Sequence, residues 1–143
     1  IALYPSLCLL ETTIVSVGRG TDKQFQVIGT PNPAAGKYTF TPIPTPGAMD
    51  PPLKGQLCYG IDLRHVATRH LGFSLVYLLD MFEKTGRQES FFTSPAFFDK
   101  LAGTDSLRLA MIAGKSEQEI RASWQPALNQ YKEMRKRYLI YQD

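Results

Sequence analysis

The sequence predicts an α+β fold: a small, mainly antiparallel sheet packed with several helices and closed by a long C-terminal helix. Three observations carry that reading. Short apolar runs with strand character, at residues 25–28, 37–43 and 57–66, all fall in the first half of the chain. Most of the ten prolines gather in residues 31–56 between those runs. From about residue 71 onward the apolar residues recur every three or four positions instead of every two.

Taken in order, Pro5 suits the first turn of a short helix through Leu10. A glycine-bearing loop leads to a strand at Phe25-Gln26-Val27-Ile28. The next strand, Lys37 to Ile43, is an edge or a brief one, because Pro42, Pro44 and Pro46 cannot donate to a ladder. Leu57 to Val66 alternates best and forms the central strand. Leu71 to Lys84 then sets Leu75, Leu78, Leu79 and Phe82 on one helical stripe, with Gly86 as its C-cap. Pro95 to Leu101 is a short helix ended by Gly103, and Thr104 or Asp105 caps the helix that runs on to Gly114. Ser116 with Glu119 is a capping box that opens the last helix. Ile120, Trp124, Leu128, Tyr131, Met134 and Tyr138 make its apolar face, and Pro126 should kink it.

The 143 residues form one domain with a real core, and 43% hydrophobic against 20% charged residues is ordinary for a globular chain. The net charge of +3 is small, and its densest basic run, Lys132 to Arg137, suits the negative end of a helix dipole. No reader motif points to nucleic acid. No run of ~18 apolar residues spans a membrane. Two cysteines without CxxC spacing and two histidines do not complete a metal site, and no motif calls for a cofactor. A Cys8–Cys58 disulfide stays open, although the apolar flanks favour buried free thiols. A chain starting at Ile1 is expected to be processed or a fragment, with any export signal out of view.

The chemistry concentrates in Glu11 to Thr21. Gly18 and Gly20 flank Arg19, so the backbone can take positive φ and its amides can form an anion-binding concavity. Arg19 offers a planar fork for a carboxylate or phosphate. Thr13, Ser16 and Thr21 add hydroxyls suited to sugar oxygens. Equally, the stretch reads as a surface turn whose arginine pairs with Glu11 or Asp22.

Leu3-Tyr4-Pro5-Ser6-Leu7-Cys8-Leu9-Leu10-Glu11, Ser16-Val17-Gly18-Arg19-Gly20-Thr21 and Phe25-Gln26-Val27-Ile28-Gly29 resemble the signature stretch of bacterial exo-β-N-acetylmuramidases of the NamZ/YbbC type. Leu57 to Ile61, Phe98 to Thr104 with Leu107-Arg108, and Ile120 to Tyr141 resemble the family's central strand and closing helices, in order. The chain departs from the pattern at Thr12 and Ile14, where glycine and asparagine are usual, which bears on substrate preference more than on fold. The resemblance implies the C-terminal half of a longer two-domain glycoside hydrolase, periplasmic or secreted. Its absent N-terminal α/β domain would line a shared cleft. The implied activity is release of terminal N-acetylmuramic acid from the non-reducing end of peptidoglycan-derived sugars. In that reading Glu11 is the catalytic carboxylate supplied by this half, with at least one more from the other domain. Ser16, Gly18, Arg19, Gly20 and Thr21 bind substrate, Arg19 taking the lactyl carboxylate. The rival classes are a non-catalytic glycan-binding module and an interaction domain.

Lesser candidates are the polar cluster Arg64, His65, Arg69 and His70, read first as a solvated loop, and Tyr59 and Asp62 on the central strand. Trp124, Tyr131, Tyr138 and Tyr141 could stack on sugar rings, but their helical spacing assigns them to the core. Phe91-Phe92 and Phe97-Phe98 are core or face the absent domain.

Overall fold

The structure, a computed structural model, describes residues 2–67 and 72–141. Helix α1 (Tyr4–Leu7) starts on Pro5 and tightens into a 3-10 segment at Cys8–Thr12. The sheet contains β1 (Val27–Thr30), β2 (Tyr38–Phe40) and β3 (Cys58–Asp62), in the order β1-β3-β2 with both pairs antiparallel. Helices α2 (Val76–Lys84), α3 (Pro95–Ala102), α4 (Ser106–Ile112) and α5 (Glu117–Arg135) follow. The α+β expectation holds, with the longest strand in the middle of the sheet.

Several boundaries move for local reasons. The first strand starts two residues late because Phe25 sits at φ 56° and the Gln26 N–H closes a turn on the Lys23 carbonyl. The second strand stops at Phe40, two residues before Pro42, which has no N–H to donate. The central strand ends at Asp62, whose carboxylate accepts the Arg64 N–H at 3.0 Å and turns the chain. Leu71 lies outside the described residues, and α2 begins at Val76.

One hydrophobic core lies between the sheet and the helices. Leu7, Leu10, Ile28, Leu78, Met81 and Phe98 are fully enclosed there. Phe82, Phe91, Phe92 and Phe98 meet edge-on or tilted, with neighbouring ring centres 4.9 to 5.8 Å apart. Phe97, by contrast, is 53% exposed. Gly103 closes α3 in the left-handed conformation at φ 75°. The Thr104 hydroxyl accepts the Ser106 N–H at 3.1 Å at the start of α4. The two helices are clamped by Arg108, which donates to both Asp99 oxygens at 2.9 and 2.7 Å.

The capping box at Ser116 and Glu119 is present in both directions, and Pro126 lies inside α5. Glu117 Oε1 also accepts the Leu75 N–H at 3.1 Å, which ties the start of α5 to the start of α2. The expected burial of the α5 face fails beyond its second turn. Ile120 is buried and Trp124 half-buried beside Phe73, but Tyr131, Tyr138 and Tyr141 are 55%, 76% and 84% exposed. Tyr131 lies on the helical stripe, but α5 ends at Arg135, so Tyr138 and Tyr141 fall beyond the helix, and nothing among the described residues covers Tyr131. Spacing identifies a face and not its partner.

Candidate functional site

The stretch Glu11 to Thr21 is held at both ends by backbone bonds. Upstream, the Ile14 N–H donates to the Phe91 carbonyl at 2.9 Å and the Thr93 N–H to the Thr12 carbonyl at 3.0 Å. These bonds stitch the residues after Glu11 to the segment between α2 and α3. Downstream, Ser16 and Gly29 exchange N–H···O bonds of 2.7 and 3.0 Å, so the loop grows directly off β1.

Between those anchors Gly18 and Gly20 take φ 80° and 77°. Both are also crowded. A β-carbon on Gly18 would lie 2.6 Å from the Lys23 carbonyl oxygen, and one on Gly20 2.5 Å from Pro51 Cγ and 2.7 Å from the Ile43 carbonyl oxygen. The Gly20 carbonyl accepts the Ile43 N–H at 2.9 Å. The loop is thereby pressed against the proline-rich segment. Ser16 is buried, and its Oγ accepts the Gly18 N–H at 3.2 Å. Thr21 Oγ1 donates to the Gly18 carbonyl at 2.7 Å and accepts the Lys23 N–H at 2.9 Å. The hydroxyls therefore shape the turn, and Arg19 is the side chain the turn presents.

Arg19 reaches back to Glu11, with Nε and Nη2 both donating to Oε2 at 3.1 and 2.8 Å. The pair is partly open, the arginine side chain 41% and the glutamate 26% exposed. The Arg19 Cζ also stands 5.4 Å from the centre of the Phe25 ring, and Tyr4 meets that ring edge-on at 4.9 Å. Phe25 reads in sequence as the first strand residue, and nothing in sequence announces its positive φ or its place under the guanidinium. Tyr4 carries no chemical signal beyond its place in the resemblance. Glu11, Thr13, Val15, Val17, Arg19 and Pro52 line a concavity of about 30 Å³, room for one water.

The other candidates lie elsewhere. Asp62 is paired with Arg64, whose guanidinium and N–H hold its carboxyl well below the usual range, at about 2. Arg64 and His65 are exposed, and Arg69 and His70 lie outside the described residues. Tyr59 is half-buried in β3, opposite Thr30 and Thr39. Cys8 and Cys58 are both free. Burial pushes the Cys58 thiol up to about 11, which keeps it protonated and inert. Among the described residues no three His, Cys, Asp or Glu side chains gather to hold a metal ion, and no helix is long and apolar enough to cross a membrane.

A glycine-held arginine, a facing glutamate and an aromatic floor define a class of site suited to an oxygen-rich, anionic ligand. Comparison with known proteins gives the family. The family model for the exo-β-N-acetylmuramidase NamZ, C-terminal region, matches residues 2–141. The peptidoglycan β-N-acetylmuramidase NamZ of Bacillus subtilis is 32% identical over 97% of this chain and 37% of its own length. The crystal structure of a DUF1343 family protein from Bacteroides fragilis is 43% identical, with a TM-score of 0.88 over 99% of this chain and 40% of that one. The chain belongs to the NamZ family and corresponds to its C-terminal region. It spans about two fifths of the length of the relatives it matches.

Proposed function

We propose that this chain is the C-terminal part of a peptidoglycan-degrading glycosidase that releases terminal N-acetylmuramic acid from the non-reducing end of glycan fragments. It works with an N-terminal α/β domain, in the periplasm or outside the cell. The Glu11–Arg19 pair is the observation that carries the reading, in a chain whose Bacillus relative is named for that substrate. Arg19 spends two of its donor groups on Glu11 and keeps Nη1 for a ligand, such as the lactyl carboxylate. Both arginine bonds fall on Oε2, which leaves Glu11 Oε1 to accept from a water or a sugar hydroxyl. Glycoside hydrolysis ordinarily uses two carboxylates, and Glu11 is the one that lines this concavity. A space of about 30 Å³ cannot seat a sugar ring. The second carboxylate and the remaining walls of the cleft come from the N-terminal domain.

Turnover of a chromogenic muramic acid glycoside by the full-length protein tests this. Glu11→Gln should lower kcat by about 100-fold or more. Arg19→Ala should raise KM for the muramic acid glycoside and leave a glucosamine glycoside unaffected. Unchanged kinetics in both variants would overturn the assignment. The single carboxylate at the concavity also suits a non-catalytic glycan-binding module. Saturable binding of the glycan without turnover by the full-length protein would select that reading.

A further inference from the structure

The apolar side of α5 lies open along its second half. Leu128, Tyr131 and Met134 are 41%, 55% and 47% exposed, and Tyr138 stands at 76% in the turn that follows. Spacings of three and four put them in one line with the half-buried Trp124. The line continues into a groove of about 1020 Å³ between α1, α3, α4 and α5, where Trp124 and Leu128 face Phe73, Leu101 and Leu107. The helix is fastened to the rest of the chain near its start: Ile120 is buried, Glu117 accepts the Leu75 N–H, and Arg121 donates to the Phe73 carbonyl. Most of a 19-residue helix therefore projects with an unpartnered apolar stripe, and such a helix needs cover to persist in water. Its residues are those of an interface centre, aromatic and methionine side chains, edged by Lys132, Glu133, Lys136 and Arg137.

The relatives extend well beyond the part that this chain matches. The matched family model is a C-terminal one, and some three fifths of the length of each relative lies outside the part this chain matches. We propose that the stripe from Trp124 to Tyr138, with the groove at its head, is the seat on which the N-terminal domain of the same polypeptide docks. This rests on the two-domain reading above. Covalent linkage gives that domain an effective concentration in the millimolar range, so it fills the stripe ahead of a second copy of the chain in dilute solution.

Met134 reports on the seat. The full-length protein is treated with dilute hydrogen peroxide, native and in denaturant, and oxidation of Met134 is followed by mass spectrometry. Docking predicts that native Met134 oxidises at least about tenfold more slowly than in denaturant, at every protein concentration. Tyr131→Glu in the full-length protein should return the rate to within about threefold of the denatured one. Near-denatured oxidation of the native protein overturns the proposal. So does protection that grows with protein concentration, which assigns the stripe to a second copy, or protection that Tyr131→Glu leaves intact. Muramidase turnover measured on the same samples keeps the two readings apart. Protection without turnover sustains the seat and sinks the enzyme assignment, and turnover without protection does the reverse.

Discussion

Gly20→Ala perturbs the fold and the candidate site through one atom. The residue sits at φ 77°, a left-handed conformation that costs an L-residue about 1 kcal/mol. The added carbon would also lie 2.5 Å from Pro51 Cγ and 2.7 Å from the Ile43 carbonyl oxygen. The proline ring and the backbone oxygen are both poor at yielding, so overpacking adds about 2 kcal/mol. The total is about 3 kcal/mol. An unfolding entropy of about 2.1 cal/mol/K per residue makes 1 kcal/mol worth about 3 °C in a 143-residue chain, so Tm should fall by about 10 °C. Thermal unfolding followed by circular dichroism measures this, with Gly47→Ala as the control. A β-carbon at Gly47 meets nothing within 4 Å, and its φ lies outside the left-handed range. That variant should hold or slightly raise Tm. If Gly20→Ala loses less than 2 °C, or cannot be told from Gly47→Ala, the close approach of the loop to the proline-rich segment is wrong.

Neighbouring phenylalanines should behave oppositely. Phe98→Ala, which empties a fully buried site 4.9 Å from Phe92, should cost about 3–5 kcal/mol in urea denaturation, and Phe97→Ala, half exposed next door, within about 0.5 kcal/mol of nothing. Asp62 should titrate near 2 by carboxyl-carbon NMR, rising toward the ordinary value of about 3.9 in Arg64→Ala. Because the folded value lies below the unfolded one, its contribution to stability is present above about pH 4 and is lost as pH falls toward 2.

Legibility in the sequence followed locality. The capping box of α5, the C-cap at Gly103 and the proline start of α1 depend on residues a few positions apart, and each appears where the sequence places it. The strand ends were less legible because they are set by single events: a phenylalanine at positive φ, an aspartate accepting an N–H two residues on. At the site, the two glycines announced a turn, and the Arg19–Glu11 pairing was one of the alternatives the sequence left open. That Phe25 lies under the guanidinium could not be read, because it depends on how the chain returns to the sheet after Lys23. The exposure of the second half of α5 is unreadable in sequence for the same reason. Periodicity is internal to a helix and does not say what covers the face it marks.

The Glu11–Arg19 pair joins two separately anchored pieces. Glu11 precedes residues bonded to the segment between α2 and α3, so it is anchored on the helical side of the domain. Arg19 sits on a loop bonded to β1 through Ser16 and Gly29, so it is anchored on the sheet. A partly exposed ion pair is worth no more than about 1 kcal/mol, too little to explain two glycines that tolerate no side chain and a strained phenylalanine beneath the guanidinium. What these features secure is position. They fix one guanidinium beside one carboxylate at a concavity too small for a sugar, with Arg19 Nη1 and Glu11 Oε1 outside the bonds of the pair. In the function proposed above, such an arrangement is one wall of a binding site, and the N-terminal domain would build the opposite wall.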